Sequence, residues 1–175
     1  MRFKAVFADI DGVMHRPPNS RGPDSVAAIA LASGTQLREQ GLFCWTEHLE
    51  QALAEADEAT GDAIVLVIHS SWRKQPWVSM QMLREALGPL GHRLMAITSP
   101  DLEREASIVD LAERAGIDDF IVIDDASAEF SPRIKNLVVT NPLRGVSDPG
   151  VLAAVRDWAG AGRARVERAL KVPVA

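Results

Sequence analysis

The fold of this chain is decided by residues 3–13, FKAVFADIDGV. The run from Phe3 to Ala8 has the length and the largely apolar composition of a buried strand, and it leads directly into Asp9 and Asp11. Ligands of a parallel α/β sheet bind beyond the carboxyl ends of its strands, so both acids are expected at the ligand position. Side chains at i and i+2 of an extended chain point to the same side, which lets the two carboxylates share one ligand.

The rest of the chain alternates strand patterns with helix patterns. Continuous apolar runs at 63–68 and 120–123 predict strands that are covered on both faces. Further strands are predicted at 93–98 and 136–140. Helices are predicted at 46–60, 78–87, 102–115 and 149–159, with Gly61 and Gly116 as the ends of the first and the third. A short helix through Leu31 is also expected, capped by Asp24 or Ser25 and ended by Ser33-Gly34. Strands that alternate with helices predict an α/β fold, a three-layer Rossmann-like parallel sheet with helices on both faces.

We expect a single domain over residues 1–160, because 175 residues with 47% hydrophobic content suit one sizeable core. The turn-rich segment 13–41 is too short for a large cap domain, and it is predicted to form a flap or a small insert beside the site. Residues 161–175 are predicted to form a basic C-terminal tail.

The composition argues against several classes of protein. A net charge of -5 disfavours a general nucleic-acid binder, although a local basic strip can still guide a phosphorylated ligand. Apolar runs such as 63–68 are far shorter than the ~20 residues of a membrane-spanning helix, so no membrane partner is expected. The lone Cys44 cannot form an internal disulfide and the first residues lack a signal-peptide pattern, so we expect a reducing, cytoplasmic setting.

Three of the predicted strands end on polar side chains. These are Asp9 and Asp11, Ser70 and Ser71, and Asp124 and Asp125. Two carboxylates about 4 Å apart repel each other by about 4 kcal/mol at an effective dielectric of about 20, so four acids in one place require a cation. All-oxygen ligation favours a hard ion, and Mg²⁺ typically binds a few carboxylates together with a substrate phosphate. The sequence therefore predicts a Mg²⁺ site.

These motifs resemble those of the haloacid dehalogenase (HAD) superfamily of mainly phosphate-transferring enzymes. Residues 9–13 resemble its first motif, the serine after Ile68 its second, Arg104 its third in place of the usual lysine, and Asp124-Asp125 its fourth. Together with Ser-Ser-Trp-Arg at 70–73, they resemble the small HAD domains associated with bacterial RNA repair proteins. The resemblance covers most of the chain.

The resemblance implies a role for each position. Asp9 would be the nucleophile that forms an aspartyl-phosphate, and it would also bind Mg²⁺. Asp11 would protonate the leaving oxygen and later activate water, with its backbone carbonyl on the metal. Ser71 or Ser70 would donate hydrogen bonds to the phosphoryl group, and Arg104 would neutralise its charge and orient Asp9. The remaining implied contacts are metal ligation by Asp124 and Asp125 and substrate binding by Gly12 and by Arg73, whose guanidinium could fork onto a phosphate.

We therefore expect a Mg²⁺-dependent phosphatase that acts on a phosphomonoester such as a nucleotide, a nucleic-acid end or a small metabolite. The alternative is a non-catalytic or regulatory module with a HAD fold that binds a phosphate ligand, which the substituted third motif favours. Dehalogenase chemistry fits less well, because Asp11 and the pair Asp124-Asp125 suit metal binding and phosphoryl transfer. His69 is interpreted as a packed or hydrogen-bonded residue and Trp72 as part of the core or a lid.

Overall fold

The computed structural model describes residues 4–17, 26–61 and 63–170, and within them the chain forms one parallel sheet of five strands. The strands are β1 (Lys4–Ala8), β2 (Ile64–Ile68), β3 (Leu94–Ile97), β4 (Asp119–Asp124) and β5 (Leu137–Val139). The helices are α1 (Val26–Leu31), α2 (Gly34–Glu39), α3 (Thr46–Thr60), α4 (Met80–Leu87), α5 (Arg104–Ala115) and α6 (Pro149–Leu170). Short 3₁₀ helices cover Ser71–Lys74, Gly88–Arg93, Ser127–Glu129 and Gly145–Ser147.

The strand order is β3-β2-β1-β4-β5, with β1 at the centre of the sheet. The chain first moves outward from β1 through β2 to β3, and it then returns to place β4 on the other side of β1. The strand order therefore reverses at β1. In open parallel sheets, the crevice at such a reversal is where ligands bind, so the topology itself places a site after residue 8.

Side chains of the central strand alternate between two apolar cores. Val6 and Ala8 pack on the side of the sheet that α3, α4 and α6 cover, whereas Ala5 and Phe7 pack on the side that α5 covers. The same alternation holds in β2 and β4, as expected for strands that are buried on both faces. The predicted three-layer, Rossmann-like fold is confirmed, and no large cap domain stands over the sheet in the described part of the chain.

One helix was missing from the sequence prediction. Ser33-Gly34 reads as the end of α1, and it does end that helix, but Ser33 also caps the start of α2. The Ser33 hydroxyl accepts from the Gln36 backbone N–H at 3.3 Å, and the Gln36 side chain accepts from the Ser33 N–H at 2.8 Å. This reciprocal pair is a capping box. A Cβ on Gly34 would overlap the carbonyl of Met82, so glycine allows α2 to pack closely on α4.

The helix ends agree with the sequence in part. Both α3 and α5 end on left-handed glycines, as predicted. The predicted end of the last helix at Ala159 is wrong, because α6 continues to Leu170 and so includes much of the segment expected to be a tail. The predicted start of α1 at Asp24 or Ser25 lies outside the described residues. Across the described ranges, each helix is too short or too polar to cross a bilayer.

Candidate active site

The carboxyl ends of three neighbouring strands lie in register. Ala8 of β1 pairs with Ile68 of β2 on one side and with Ile123 of β4 on the other. The residue that follows each of these positions therefore reaches the same edge of the sheet. These residues are Asp9, His69 and Asp124. His69 therefore lies next to Asp9 at this edge of the sheet, and the two candidate serines follow it in the chain.

Asp9, Asp124 and Asp125 form a compact carboxylate cluster at this edge. One oxygen of each lies within 4.8 Å of the others, and both Asp9 and Asp124 are buried. Burial, together with the charge of Asp9, raises the pKa of Asp124 to about 6. The same two causes raise the pKa of Asp125. A divalent cation would relieve this repulsion, and three hard oxygen donors fit Mg²⁺.

Arg104 lies against this cluster. Its Nη1 donates to Oδ2 of Asp9 at 3.0 Å and to Oδ2 of Asp124, and its Nε pairs with Oε2 of Glu129 at 2.8 Å. Arg104 is the first residue of α5, where the positive end of the helix dipole disfavours a cation. The three carboxylates offset that cost. The single positive charge of Arg104 cannot neutralise the three carboxylates of the cluster as well as Glu129, so the cluster still attracts a further cation.

The carboxylate of Asp11 is not part of this cluster, and two ring nitrogens contact it. Trp72 Nε1 donates to Oδ2 at 2.9 Å, and His15 Nε2 lies 3.1 Å from Oδ1. The rings of His15, Phe43, Trp72 and Trp77 pack edge to face, with centroids 5.1 to 5.9 Å apart in the contacting pairs. Metal ligation by Asp11 is thereby left to its backbone carbonyl, and it stays a prediction.

The turn after Asp11 is tied to distant segments by its carbonyl groups. Gly12 accepts from Thr140 Oγ1 at 2.8 Å, Val13 from the N–H of Val146 at 2.9 Å, and Met14 from the N–H of Trp45 at 3.1 Å. Gly12 has a left-handed φ of 73°, and a Cβ there would overlap the carboxylate of Asp125. Glycine is therefore what lets Asp125 approach the turn. The predicted contact of Gly12 with substrate stays a prediction.

The two candidate serines have different surroundings. Ser70 is buried, and its hydroxyl caps the following 3₁₀ helix by accepting from the N–H of Trp72 at 3.3 Å. Ser71 is exposed and lines an open cleft of about 440 Å³. The other residues that line this cleft are Arg73, Lys74, Glu103, Arg104, Glu105 and Glu129. Ser71 is thus the serine that lines the cleft, and its role toward phosphate stays a prediction.

Arg73 is largely engaged inside the protein. Its guanidinium donates to four backbone carbonyls at 2.6 to 3.0 Å. These carbonyls belong to His69, Ser70, Ser99 and Leu102. An arginine has five N–H donors, so one is left for a ligand. Arg73 therefore ties together the loops after β2 and β3, and a fork onto phosphate, which would require one of these bonds to break, stays a prediction.

Some residues of the site were not found from the sequence. His15 contacts Asp11, and Glu129 contacts Arg104, yet neither residue stands in a recognisable motif. His69 is packed, as predicted, and it is fully buried. Its Nδ1 lies 3.6 Å from Oδ2 of Asp124, and neither ring nitrogen has a hydrogen-bond partner among the described residues. Burial and the charge of Arg104 lower its pKa to about 3, so the ring is neutral.

Three features together define a HAD-type domain. They are the fold, the acids that follow β1, and the guanidinium of Arg104, which connects the ends of β1 and β4. A family model described as the HAD domain in Swiss Army Knife RNA repair proteins matches residues 5–151. The chain belongs to this family, and the resemblance seen in the sequence is confirmed. Searches with the chain found no matching curated protein and no matching solved structure.

Proposed function

We propose that the protein is a Mg²⁺-dependent phosphatase that transfers a phosphoryl group first to Asp9 and then to water. The observation that carries this proposal is the bridge from Arg104 to both Asp9 and Asp124, inside a carboxylate cluster whose ligand atoms lie within 4.8 Å of one another. Membership of a HAD family supports the same class of chemistry. The open cleft beside Arg104 leaves room for a phosphate ester.

Asp9 and Asp11 have separate tasks in this reaction. A carboxylate oxygen of Asp9 forms a bond to phosphorus while the bond from phosphorus to the ester oxygen breaks, and Asp11 gives that oxygen a proton. Water then attacks the same phosphorus and gives a proton to Asp11. The acyl-phosphate bond breaks, which releases phosphate and restores the carboxylate of Asp9.

Arg104 and the acidic cluster support these steps. The guanidinium of Arg104 holds Asp9 in place by a 3.0 Å hydrogen bond and offsets negative charge as the phosphoryl group approaches. Asp9, Asp124 and Asp125 would hold Mg²⁺, which supplies the additional positive charge that phosphoryl transfer needs when it is bound. Ser71 and Lys74 line the cleft with a hydroxyl and an ammonium group that suit a phosphate ester.

We propose a phosphorylated nucleic-acid end or a nucleotide as the substrate. A cleft that is open on one side and has no cap domain over it, among the described elements, admits an ester attached to a long chain. The description of the family as part of RNA repair proteins supports the same choice. The exposed thiol of Cys44 suits a reducing compartment, so we place the activity in the cytoplasm.

The test is hydrolysis of a panel of phosphomonoesters with Mg²⁺ and with EDTA. The panel contains p-nitrophenyl phosphate, nucleoside monophosphates and RNA oligonucleotides phosphorylated at either end. We expect turnover that requires Mg²⁺ and that Asp9→Asn abolishes. The control Asp118→Asn changes an exposed acid just before β4, at the end of the strand opposite the site, and should leave turnover unchanged. Full activity of Asp9→Asn on the same substrate would refute the nucleophile assignment.

The pairing of Glu129 with Nε of Arg104 at 2.8 Å favours a second candidate function. It occupies an edge of the guanidinium that a transferring phosphoryl group would otherwise contact, which disfavours turnover while the cleft stays open to a ligand. Thermal unfolding with Mg²⁺ and BeF₃⁻ separates the two functions. Stabilisation without hydrolysis of any ester in the panel supports the binding module, and hydrolysis excludes it.

A further inference from the structure

The carboxylate of Asp11 is held at both of its oxygens by donors that are themselves buried. The side chain of Asp11 is 28% exposed, whereas that of His15 is 3% exposed. Trp72, which donates to the other oxygen at 2.9 Å, is also buried. A carboxylate has about four acceptor positions, so two remain for the proton that it exchanges with substrate or water. Asp11 is thus fixed in orientation without being closed off.

The partners of His15 decide which of its nitrogens carries the proton. The backbone N–H of Phe43 donates to Nδ1 of His15 at 3.2 Å, so Nδ1 is an acceptor and carries no proton. In the neutral ring, the proton then sits on Nε2, which lies 3.1 Å from Oδ1 of Asp11 and donates to it. The hydrogen bond at one side of the ring therefore sets the donor at the other side.

Phe43 holds an unusual backbone conformation at this point. Its φ is 58°, and it is the non-glycine residue in the left-handed region among the described residues. That conformation costs an L-residue about 1 kcal/mol, and such residues gather where surrounding structure has a use for them. The same residue is 1% exposed, and its ring packs on His15 and Trp72, with centroids 5.1 and 5.6 Å away. Neither donor can turn away from Asp11 without losing ring contacts.

We propose that His15 and Trp72 are positioning residues that hold the carboxylate of Asp11 in the orientation for proton transfer, with Phe43 selecting the tautomer of His15 that can do so. The proposal rests on the proposed phosphatase function, in which Asp11 gives a proton to the ester oxygen and later takes one from water. Both rings act through Asp11. They fix the orientation of its carboxylate and therefore the position of the proton that it transfers.

The kinetic test uses two replacements of His15 with different reach. In His15→Gln the amide nitrogen lies near the position of Nε2, so a donor to Asp11 is kept. In His15→Asn the side chain is shorter, so it reaches the N–H of Phe43 but not Asp11. His48→Asn, at an exposed histidine on α3, is the matched control. Circular dichroism and thermal unfolding establish that each variant is folded.

The readout compares two esters through kcat/KM, which reports the steps up to transfer of the phosphoryl group. An alkyl phosphate needs a proton on its leaving oxygen, whereas p-nitrophenolate leaves without one. We expect His15→Asn to lower kcat/KM about 100-fold for the alkyl ester, as for a misplaced catalytic group, and far less for p-nitrophenyl phosphate. His15→Gln restores much of the loss. An equal loss on both esters, or no loss, overturns the proposal.

A second measurement does not depend on turnover. NMR of ¹⁵N-labelled histidine rings reports which nitrogen of His15 is protonated in the wild-type chain and how both nitrogens respond to Asp11→Asn. We expect a protonated Nε2 whose resonance shifts in that variant. A wild-type chain that hydrolyses no ester refutes the phosphatase function, whereas a proton on Nδ1 of His15 overturns the positioning proposal even in an active enzyme.

Discussion

The Nη1 atom of Arg104 lies 3.0 Å from Oδ2 of Asp9, although the two residues are 95 positions apart in the chain. The same nitrogen also donates to Asp124, so a single cation connects the ends of two neighbouring strands. Both carboxylates are buried, and this cation compensates the oxygens that the backbone N–H groups of Ile10 and Ala126 do not bind. Four expected outcomes test how this part of the molecule works.

Arg104→Met should destabilise the metal-free protein. It leaves Asp9 and Asp124 buried without their shared donor, and breaking such a pair costs about 3 kcal/mol. Because Mg²⁺ can replace the missing positive charge, the loss should be smaller with Mg²⁺ than with EDTA. Urea unfolding of the wild type and of Arg104→Met, each with Mg²⁺ and with EDTA, measures the loss in the free energy of unfolding. Arg114→Met removes an exposed pair with Asp110 and should change stability little, so an equal loss there would contradict the prediction.

The pKa of Asp124 predicts how stability changes in mild acid without metal. Burial and Asp9 raise this pKa from 3.8 to about 6 in the folded chain. Between these values the folded chain keeps a proton that the unfolded chain releases, so this contribution to stability is full below pH 3.8 and is lost as the pH rises through about 6. Relative to Asp124→Asn, the wild type should lose about 3 kcal/mol across that window in EDTA. Parallel stability curves for the two proteins would contradict it.

His69→Leu should keep or increase stability at neutral pH. The ring is fully buried and its nitrogens have no partner among the described residues, so an apolar side chain of similar size removes an unsatisfied group. The pKa of His69 falls from 6.5 to about 3, so the wild type loses stability as the pH falls through this range, because only the unfolded chain takes up the proton. Unfolding curves of His69→Leu should lack that loss, and His48→Gln should retain it. A large loss for His69→Leu at neutral pH would mean that the ring has a partner.

Gly12→Ala should weaken Mg²⁺ binding. A Cβ at this position overlaps the carboxylate of Asp125 and pushes it out of the cluster. Gly61→Ala is the matched control, because Gly61 has φ of 72° against 73° at Gly12 but has open space where its Cβ would lie. Both variants should lose about 1 kcal/mol through the left-handed backbone. Calorimetric titration with Mg²⁺ should show weaker binding for Gly12→Ala alone, and equal affinities would count against the role of Asp125.

The parts of the fold that follow local patterns could be predicted from the sequence. Continuous apolar runs located β2 and β4, and parallel pairing then brought Asp9 and Asp124 together without any knowledge of contacts. Ser33-Gly34 was harder, because Ser33 follows the end of one helix and also forms the capping box of the next with Gln36. The length of α6 could not be predicted, because Gly160 and Gly162 weaken the helix pattern while the helix continues through them.

The supports around the site depend on long-range contacts that leave no local pattern. His15 meets a backbone N–H 28 residues later, and Trp72 reaches Asp11 from 61 residues away. Arg104 did leave a trace, since a cation in the first turn of a helix opposes the helix dipole and therefore requires a reason. That reason is visible only once the carboxylates of β1 and β4 lie beside it.

The turn after Asp11 is fixed by hydrogen bonds from distant residues, and these bonds determine when the site becomes ordered. Carbonyls of Gly12, Val13 and Met14 are bound by groups from three remote parts of the chain, so the turn is shaped when the whole domain folds. Binding of a ligand then does not have to restrict these residues, so less of its interaction energy is lost in ordering the turn. A chain shortened before Val146 would keep every acid of the cluster and still lose part of this order. The segment that precedes α6 thus lowers the conformational entropy of the turn after Asp11, although it contributes no acid to the cluster.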